Sequence, residues 1–411
     1  MKYRVLFFYP ENPWPPHSGT HWRCMQMLGA LKEFNTEIFL VSSALSDYYS
    51  PWNKESVAVL KKDFVADVFI YEPNRWDYKV INCLRRFYDF LGKQPPLNSL
   101  IYTPWQMRDW FTKVLYKVSP QIIIMSYAYW DSLLKHRRLK RIKRIIDISD
   151  LVSLNRKAWM ILSRFIGSVP IDPQRISERI VKEDFFTDFD LSVSSQEFLI
   201  YDQYDYAIAI SEKEAQIIKE NTRHTQVLFI PIVYQPHYIN NQYNKVAIFP
   251  TGPNPFNIQG YLYFVKKVLP QVLKEIDSFL LQVIGYCAER VVEQKGIILT
   301  KTLIDLKPVY ETSSFLVAPL LFGTGQQIKI IEAMAYGLPV IALRNIAQNA
   351  FLLQHGINGF IANNAQEFAR YTVELWNDPK LCRKLGEAGR EMVAKEFSSQ
   401  RLKEALSKTI I

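Results

Sequence analysis

The chain has 411 residues, of which 48% are hydrophobic and 14% aromatic, and it carries a net charge of +10. This length and composition predict two or three domains with sizeable cores. No stretch approaches the roughly 18 to 20 uninterrupted apolar residues of a spanning helix, which excludes a helical membrane protein. The four cysteines are far apart and lack metal-ligand spacing, so we expect reduced, buried thiols and neither disulfides nor a zinc centre.

The amino-terminal segment MKYRVLFFYPENPW has a short apolar run that ends at proline and glutamate. This pattern predicts a first β-strand and not a signal peptide, so we expect a cytoplasmic protein. The following loop is rich in proline and places Ser18-Gly19-Thr20 before an amphipathic helix. A plain capping turn explains that tripeptide as well as a ligand-binding loop does.

Short apolar strands alternate with longer helical patterns along the chain, which is typical of α/β proteins with doubly wound parallel sheets. In the first half we predict strands at Arg4–Tyr9, Glu37–Ser42, Asp67–Tyr71, Ile122–Ser126, Arg144–Ile148, Tyr206–Ile210 and Val227–Ile230. In the second half we predict strands at Val246–Phe249, Phe279–Ile284, Gly296–Leu299, Phe315–Ala318, Val340–Ala342 and Gly359–Ile361. The segment 231–244 is rich in proline and asparagine without apolar periodicity, which indicates an interdomain linker.

Basic residues are concentrated in two N-terminal segments, KHRRLKRIKR from Lys135 to Arg144 and an aromatic-rich stretch from Trp76 to Lys93. A basic, aromatic helix can dock on anionic lipid headgroups, where each base contributes on the order of 1 kcal/mol. A nucleic-acid face is the competing interpretation, but the sequence contains no recognisable nucleic-acid-binding module. A solvated helix that covers the sheet explains the pattern equally well.

Polar side chains follow two predicted strands of the first half. Asp147 and Asp150 follow one strand, and Ser126, Tyr127 and Tyr129 lie at the end of another. Ligands of open α/β sheets bind at the carboxyl ends of strands, so these residues are candidates for a binding site. Asp150 is the preferred candidate, although a helix N-cap would explain an aspartate there equally well.

The stretch FLVAPLLFGTGQQIKIIEAMAYGLPVI, residues 315–341, is the most informative part of the chain. It predicts a strand, a glycine turn at Gly323-Thr324-Gly325, a helix from Gln326 and a second strand. The start of that helix would face a strand end, where a phosphate or a sugar oxygen is favoured.

Lys329 and Glu332 lie three residues apart on this predicted helix and can occupy one side of it. A carboxylate suits vicinal hydroxyls, and a lysine suits a diphosphate. A solvated ion pair on an amphipathic helix is the alternative, but the glycine turn in front favours a ligand site.

The pattern G-T-G-x-x-x-K-x-x-E-A-M-A-x-G-x-P-V resembles the donor-binding motif of the retaining nucleotide-sugar glycosyltransferases of the GT-B fold, the family 4-like group 1 enzymes. Many members carry a Glu-x7-Glu pair there. The second glutamate falls on Glu332, and the resemblance implies that it contacts the nucleotide ribose. The first position is Thr324, a departure that leaves the identity of the donor sugar open.

Other segments resemble further parts of that family's site. The Ser18-Gly19-Thr20 turn resembles its first glycine loop, which implies that Gly19 and Thr20 approach the donor phosphates, with His17, His21 and Arg23 as further donors. Thr251-Gly252 and Asn257 resemble the first loop of the second domain. Gly285 matches a glycine beside the base, although an ordinary turn explains it equally, and the segment from Leu306 to Tyr310 is also expected near the base. Gln326 completes the expected donor site.

The resemblance implies a GT-B architecture of two Rossmann-like domains facing a cleft. We expect an acceptor-side domain at 1–235, a nucleotide-sugar-binding domain at 245–393 and a helix at 394–411 that crosses back to the first domain. The expected catalytic residues are Lys329, Glu332 and Asp150.

The expected reaction is retaining transfer from a nucleotide diphosphate sugar, without a metal or cofactor, to a saccharide, lipid-linked or protein hydroxyl. The enzyme would be cytoplasmic, with peripheral contact to the inner face of the membrane through Lys135–Arg144. Two alternatives remain open: a non-catalytic GT-B-like partner, which would explain the missing first glutamate, and a nucleotide-sugar epimerase.

Overall fold

The computed structural model describes residues 2–45, 51–134, 142–303, 305–347 and 353–410. Within these ranges the chain divides into two compact units. Unit 1 comprises the described residues of Met1–Val152, Val193–Val233 and Ser399–Ile411, and unit 2 comprises those of Ser153–Ser192 and Tyr234–Ser398. Each unit is built on one parallel β-sheet.

Unit 1 contains seven strands among its described residues: β1 (Tyr3–Phe8), β2 (Thr36–Ser43), β3 (Asp67–Tyr71), β4 (Ile122–Ser126), β5 (Lys143–Ile148), β6 (Tyr206–Ala209) and β7 (Gln226–Phe229). They pair in parallel in the order β3-β2-β1-β4-β5-β6-β7. Its helices up to β7 are α1 (Gly19–Lys32), α2 (Lys54–Asp63), α3 (Arg75–Phe90), α4 (Trp105–Val118), α6 (Ser195–Tyr201) and α7 (Glu212–Asn221), with a 3₁₀ segment at Ala128–Leu134. Helix α5 (Val152–Ser163) starts at the last residue of the first segment of unit 1 and otherwise belongs to unit 2.

The core of unit 1 lies around β1, whose residues Val5 to Phe8 are completely buried. A strand covered on both faces reads as a continuous apolar run, which is why this segment was predictable. Helix α1 contributes Met27, Leu28 and Leu31 to the same apolar cluster. The strand order reverses between β1 and β4, so the carboxyl ends of these two strands form the point where ligands of such sheets bind.

Unit 2 contains six strands among its described residues: β8 (Ala247–Thr251), β9 (Leu281–Gly285), β10 (Ile297–Thr300), β11 (Phe315–Ala318), β12 (Val340–Leu343) and β13 (Gly359–Ala362). They pair in parallel in the order β10-β9-β8-β11-β12-β13. Helix α8 (Pro255–Tyr263) continues through a π-helical turn at Phe264–Val268 into α9 (Leu269–Glu275). The other helices are α10 (Lys307–Thr312), α11 (Ile328–Ala335), α12 (Arg344–Ala347), α13 (Ala365–Asn377) and α14 (Pro379–Glu396).

Two glycines allow α14 to approach the end of α11. Gly337 has a φ of +77°, a backbone conformation that strongly favours glycine, and it ends the helix. A Cβ atom on Gly386 of α14 would overlap the carbonyl oxygen of Gly337. Arg390, one turn further along α14, donates to the carbonyl oxygen of Tyr336 at 3.1 Å. The helix that carries Lys329 and Glu332 is therefore held at its carboxyl end.

The last described helix, α15 (Ser399–Ile410), belongs to unit 1. Its residues Leu402, Leu406 and Ile410 join the apolar cluster around β1. Lys403 adds an ion pair with Glu33, at 2.5 Å. The carboxyl-terminal residues thus pack on the unit that contains the amino terminus.

The predicted boundary of the first domain needs a correction. Sequence analysis placed all of 1–235 in one domain, whereas Ser153–Ser192 belongs to unit 2. Lys266 Nζ donates to the carbonyl oxygens of Pro173 and Ile176 at 3.0 and 2.9 Å, and Gln259 Nε2 donates to that of Ile180 at 2.9 Å. These contacts join irregular backbone, with short 3₁₀ segments at Pro173–Arg175, Glu178–Val181 and Phe185–Asp188, to the α8–α9 helix.

The predicted linker at 231–244 also differs from expectation. It forms no helix or strand, but from Tyr234 onward it packs on unit 2. His237 N donates to the carbonyl oxygen of Ala335 at 2.8 Å. The hydroxyl of the buried Tyr243 donates to the carbonyl oxygen of Gly337 at 3.1 Å. Backbone carbonyls at the end of α11 thus fix a segment whose sequence lacks periodicity.

Three further expectations can be compared with the structure. Cys24, Cys287 and Cys382 are buried thiols, but Cys83 is exposed because it lies on the outer side of α3. Of the basic run from Lys135 to Arg144, residues 135–141 lie outside the described residues. No helix in the described ranges has the length and apolar character needed to cross a membrane.

Candidate active site

The carboxyl ends of β8 and β9 form one wall of the candidate site in unit 2. Thr251, the last residue of β8, donates its hydroxyl to the carbonyl oxygen of Ile284 at 2.7 Å and accepts from Cys287 N at 2.9 Å. Gly285 has a φ of +87°, and a Cβ atom there would lie 2.6 Å from the carbonyl oxygen of Thr251. The backbone conformation and the close carbonyl oxygen therefore explain why a glycine occupies this turn. A contact of Gly285 with a nucleotide base stays a prediction.

Asn257 joins this wall to α11. Its side-chain nitrogen donates to the carbonyl oxygen of Gly252 at 3.0 Å, and its Oδ1 accepts from Lys329 Nζ at 2.6 Å. Asn254 caps α8 by accepting from Phe256 N at 2.8 Å, which orients the first turn that carries Asn257. Gly252, Asn257 and Lys329, three residues chosen from sequence, are therefore brought together.

The environment of Lys329 lowers the proton affinity of its amine. Burial lowers the pKa to about 8, while the neighbouring Cys287 and Glu332 act in the opposite direction. The amine also lies 5.7 Å from the centre of the Phe249 ring. The solvated Lys329–Glu332 pair considered above is not what the structure shows, because both residues are partly buried and Lys329 donates to Asn257.

Glu332 lies one helical turn beyond Lys329 and faces two tyrosines. Burial raises the pKa of its carboxyl group, whereas the hydroxyls of Tyr234 and Tyr310 and the charge of Lys329 oppose that shift. The same carboxylate and burial raise the pKa of both tyrosines. An acceptor group surrounded by phenolic hydroxyls is suited to hold a ligand hydroxyl.

An aromatic stack supports this end of the site. Tyr310 is completely buried and stacks on Tyr336 at 4.5 Å between ring centres, and Tyr336 stacks on His237 at 4.2 Å. Tyr310 was expected near the base of a nucleotide, but its buried ring and its hydroxyl position place it beside Glu332. Its contact with a ligand stays a prediction.

The glycine turn between β11 and α11 contains Thr324, the position at which the sequence departs from the motif that it resembles. Gly325 has a φ of +65°, and a Cβ atom on Gly323 would lie 2.7 Å from the side-chain nitrogen of Gln327. Thr324, which occupies the place of the first glutamate, accepts a hydrogen bond from Asn155 Nδ2 at 2.6 Å. Gln326 precedes α11 and is partly buried. The turn thus presents a Thr–Asn pair at the position where the resembled motif has a carboxylate.

The Ser18-Gly19-Thr20 turn in unit 1 is a helix cap. Ser18 Oγ accepts from His21 N at 3.2 Å and lies 3.0 Å from Thr20 Oγ1, and Gly19 is the first residue of α1. Ser18 is therefore the N-cap of α1, as the alternative of a plain capping turn predicted. Donor contacts of Gly19 and Thr20 stay predictions.

Two of the three expected phosphate donors near this turn are engaged elsewhere, which is a correction. Arg23 is buried, and its guanidinium donates to Asp147 Oδ1 at 2.9 Å and to the carbonyl oxygen of Pro231 at 3.1 Å. His21 is buried with its Nε2 3.1 Å from Glu11 Oε1. Asp147 is consequently a structural ion-pair partner and not an open acceptor-side carboxylate.

Asp150 lies at the carboxyl end of β5, two residues before α5, and is partly buried. The first helical amide, Val152 N, donates to Glu197 Oε1 at 2.8 Å. Burial raises the pKa of Tyr127 and Tyr201, and the carboxylate of Asp150 adds a smaller contribution in the same direction. Tyr127 has a φ of +66°, a strained value for a non-glycine residue of the kind that clusters at functional sites.

Sequence reasoning missed several residues of the unit 2 site, namely Asn155, Tyr234 and Tyr336. Asn155 is 169 positions away from Thr324 in the chain, so no local pattern links them. Tyr234 lies in the supposed linker. The only signal for Tyr336 was its place inside the motif, directly before Gly337.

Comparison with known proteins bears directly on this site. Residues 244–378 match the family model described as glycosyl transferases group 1. The matched residues lie within unit 2 and make up about a third of the chain. The matched range includes the Gly252–Asn257 loop and the whole of α11, so these two parts of the candidate site lie inside the match.

Curated relatives match shorter stretches of the chain. A 44.6 kDa protein in the cps region of Klebsiella pneumoniae is 24% identical over 131 residues, covering 29% of this chain and 34% of the relative. EpsD of Bacillus subtilis (strain 168), which is named as a glycosyltransferase, is 35% identical over 85 residues. This match covers 20% of this chain and 22% of EpsD. The chain thus matches about a third or less of the length of these curated relatives.

Solved structures match over nearly the whole chain. TarM of S. aureus has a TM-score of 0.67 at 10% identity and covers 100% of this chain and 99% of its own. The pneumococcal O-GlcNAc transferase GtfA, in complex with UDP and GlcNAc, has a TM-score of 0.58 at 11% identity. This match covers 100% of this chain and 98% of GtfA. These likenesses show that the chain has two Rossmann-like parallel-sheet domains of the GT-B type.

Proposed function

We propose that this chain is a glycosyltransferase that uses a nucleotide diphosphate sugar as donor. The observation that carries the proposal is Lys329, held by Asn257 at the start of α11 inside the matched group 1 glycosyltransferase domain. A cation at a helix start beside a strand end is suited to a diphosphate. GtfA, HepE of Anabaena and TarM have each been solved with UDP, so UDP is the first nucleotide to test.

Lys329 would stabilise the departing diphosphate. As the bond to the sugar breaks, negative charge grows on the phosphate oxygens, and a preorganised cation stabilises that charge more in the transition state than in the ground state. Asn257 positions the amine through its Oδ1, so little reorientation is needed. The amine must be protonated for this role, and the low pKa of Lys329 limits it to pH values below or close to 8 unless the ligand raises that pKa.

Glu332 would hold the ribose. Its carboxylate accepts hydrogen bonds, and the vicinal hydroxyls of a ribose donate them. Burial raises the pKa of this carboxyl group, and the hydroxyls of Tyr234 and Tyr310 and the charge of Lys329 oppose that shift and so favour the ionised, accepting form. Gly285, Gly323 and Gly325 would let the backbone approach the nucleotide closely.

The Thr324–Asn155 pair would lie at the sugar end of the donor. A hydroxyl–amide pair can donate and accept, whereas a carboxylate only accepts, so the pair favours a donor sugar whose hydroxyl pattern differs from that read by a glutamate. A non-catalytic GT-B-like chain is the alternative that the loss of this carboxylate would also fit.

Retention of the anomeric configuration, independence from metals and transfer to a saccharide, lipid-linked or protein hydroxyl are parts of the proposal that rest on the family resemblance. Asp150 is the proposed acceptor-side polar group. A leaving phosphate on the same face could take the acceptor proton as the new bond forms.

The test is isothermal titration of the purified protein with UDP, GDP, ADP and TDP, repeated on Lys329→Ala and Glu332→Gln. We expect micromolar binding of one nucleotide, weakened more than about tenfold in Lys329→Ala, because one charge-assisted contact to phosphate is lost. Lys274→Ala, which removes an exposed lysine from α9 of the same unit, is the matched control.

Unchanged affinity in both site variants would overturn the site assignment. Absence of binding by every nucleotide would favour the non-catalytic alternative. Where a nucleotide binds, incubation with the corresponding nucleotide sugars and product analysis separates transfer from epimerisation.

A further inference from the structure

Helix α3 in unit 1 has an exposed apolar surface that the proposed transfer reaction does not use. Its inward row of residues starts with Asp77 and Ile81, which are 2% and 4% exposed. The next row around the helix is apolar and recurs at alternating spacings of four and three residues, the spacing of one helical face. It consists of Trp76, Val80, Cys83, Phe87 and Phe90.

The apolar row is strongly exposed at both ends of the helix. Trp76 is 66% exposed, Phe87 is 54% exposed and Phe90 is 88% exposed. Trp105, 63% exposed, starts the neighbouring α4, and Asn74 Nδ2 donates to Gln106 Oε1 at 3.0 Å, which brings the two helix starts together. We call the surface formed by the apolar row and Trp105 the aromatic face.

A basic row borders the aromatic face on the side away from the core. Each of its basic residues precedes a member of the apolar row by one position: Arg75, Lys79 and Arg86. Lys79 Nζ lies 4.8 Å from the centre of the Trp76 ring, so charge and aromatic surface are in direct contact.

The charge of the segment 75–93 is one-sided at its surface. It contains five basic residues, the three above with Arg85 and Lys93, against two carboxylates, Asp77 and Asp89. Asp77 is buried, where it accepts from Tyr71 Oη at 2.5 Å and from Asn74 N at 2.9 Å. Only one exposed carboxylate therefore opposes five bases.

We propose that the aromatic face and its basic row dock this protein on the headgroup region of an anionic lipid bilayer. Tryptophan and phenylalanine enter the boundary between headgroups and acyl chains, while lysine and arginine beside them meet the anionic headgroups. A second copy of the chain is a poorer occupant, because a symmetric pairing would bring two basic rows together. The inference goes beyond the proposed function and does not depend on it.

The test is sedimentation of the full chain with vesicles of phosphatidylcholine alone and of phosphatidylcholine mixed with phosphatidylglycerol. We expect binding that requires the anionic lipid and weakens with added salt. Lys79→Ala combined with Arg86→Ala should weaken it about 25-fold, since each base near the surface contributes about fivefold. Phe87→Ala combined with Phe90→Ala should weaken vesicle binding at least about tenfold. Because this loss is apolar in origin, it should be of the same size at low and at high salt.

Matched controls come from the same unit. Leu199→Ala removes a 67% exposed leucine from α6, and Lys213→Ala with Lys219→Ala removes two exposed bases from α7. These variants should bind vesicles like the unaltered protein. Nucleotide titration of the α3 variants should also be unchanged, which separates a failure of this inference from a failure of the proposed function.

Cys83 offers a direct readout because it lies in the apolar row and is the one exposed cysteine of the four. A polarity-sensitive thiol dye at Cys83 should shift to shorter wavelength on anionic vesicles only. Absence of vesicle binding, equal losses in the control variants, or a dimer of the unaltered protein that Phe87→Ala and Phe90→Ala abolish would overturn the proposal.

Discussion

Raising the pH should weaken donor binding through one group, the amine of Lys329. Its pKa is lowered to about 8 by burial, so the protein loses this charge well below the usual range for lysine. Among the groups around it, burial raises the pKa of Cys287 to about 12, and the raised pKa of Glu332 starts from an ordinary carboxyl value. The thiol is therefore not expected to titrate between about pH 7 and about pH 9.

The size of the effect follows from the fraction of protonated amine. With a pKa of about 8, about nine-tenths of the molecules carry the charge at about pH 7 and about one-tenth at about pH 9. If only the ammonium form binds the diphosphate, the dissociation constant rises about tenfold over this interval. The sign is fixed by the lowered pKa: affinity is constant below the pKa of the free protein and falls as the pH rises through it.

The assay is titration with a nucleotide sugar, whose diphosphate has no proton that titrates in this range. At about pH 9 the protein should take up close to one proton on binding, so the measured enthalpy should differ between buffers of different ionisation enthalpy. Lys329→Arg is the control, because a guanidinium stays charged throughout. An affinity that is independent of pH, or an equal fall in Lys329→Arg, would refute the assignment of Lys329 to the diphosphate.

Two predictions concern stability and are measured by thermal or denaturant unfolding. Gly285→Ala should lower the free energy of unfolding by about 1–3 kcal/mol, because the φ of Gly285 is +87° and the new Cβ atom would press on Thr251. Gly252 has open space around it, so Gly252→Ala is the control and should change the free energy of unfolding little. Equal losses in the two variants would contradict the steric argument. Arg23→Met should lower the free energy of unfolding by about 3–5 kcal/mol by leaving Asp147 buried and unpaired, and adding Asp147→Asn should restore part of that loss. A double variant no more stable than the single one would show that the ion pair is not the cause.

The fold was largely predictable because both sheets are parallel and buried. Each of the thirteen strands predicted from apolar runs overlaps a strand of the described structure, with ends that agree to within two residues. The predicted strand Phe279–Ile284, for example, is Leu281–Gly285 in the structure. Strands covered on both faces must be apolar along their whole length, so the signal does not depend on neighbouring elements.

The boundary between the two units could not be read in the same way. Ser153–Ser192 joins unit 2 through carbonyl oxygens that accept from Lys266 and Gln259. Every residue has a backbone carbonyl, so the residue types of this segment could not predict these contacts. The segment 231–244 looked like a linker because it lacks periodicity, yet carbonyls at the end of α11 hold it in place. Aperiodic segments pack through such contacts as firmly as helices do.

Among the residues predicted for the site, the contacts that the structure shows are those within or next to the local motif, and the contacts between distant residues were not foreseen. The lysine, the glutamate and the glycine turn of the motif lie within ten residues, and the structure places Lys329 against the predicted Asn257. Arg23 and His21 were expected near phosphate, but a buried arginine needs a partner, and Asp147 at the end of β5 supplies it. Their identity was visible in the sequence, whereas their burial was not.

The pattern of what is kept and what is changed in unit 2 bears on the choice between an enzyme and a non-catalytic partner. In the proposed function, Lys329 with Asn257 serves the diphosphate, Glu332 with its tyrosines serves the ribose, and Thr324 serves the sugar. Within the motif from Gly323 to Val340, Thr324 is the position that departs, and it has a matched neighbour in Asn155. Burying an amine costs stability, so a partly buried lysine with a lowered pKa that is held by a polar partner is more typical of a ligand site than of a chain that has lost one. The departure at Thr324 is therefore better explained by a change of donor sugar than by loss of the donor site.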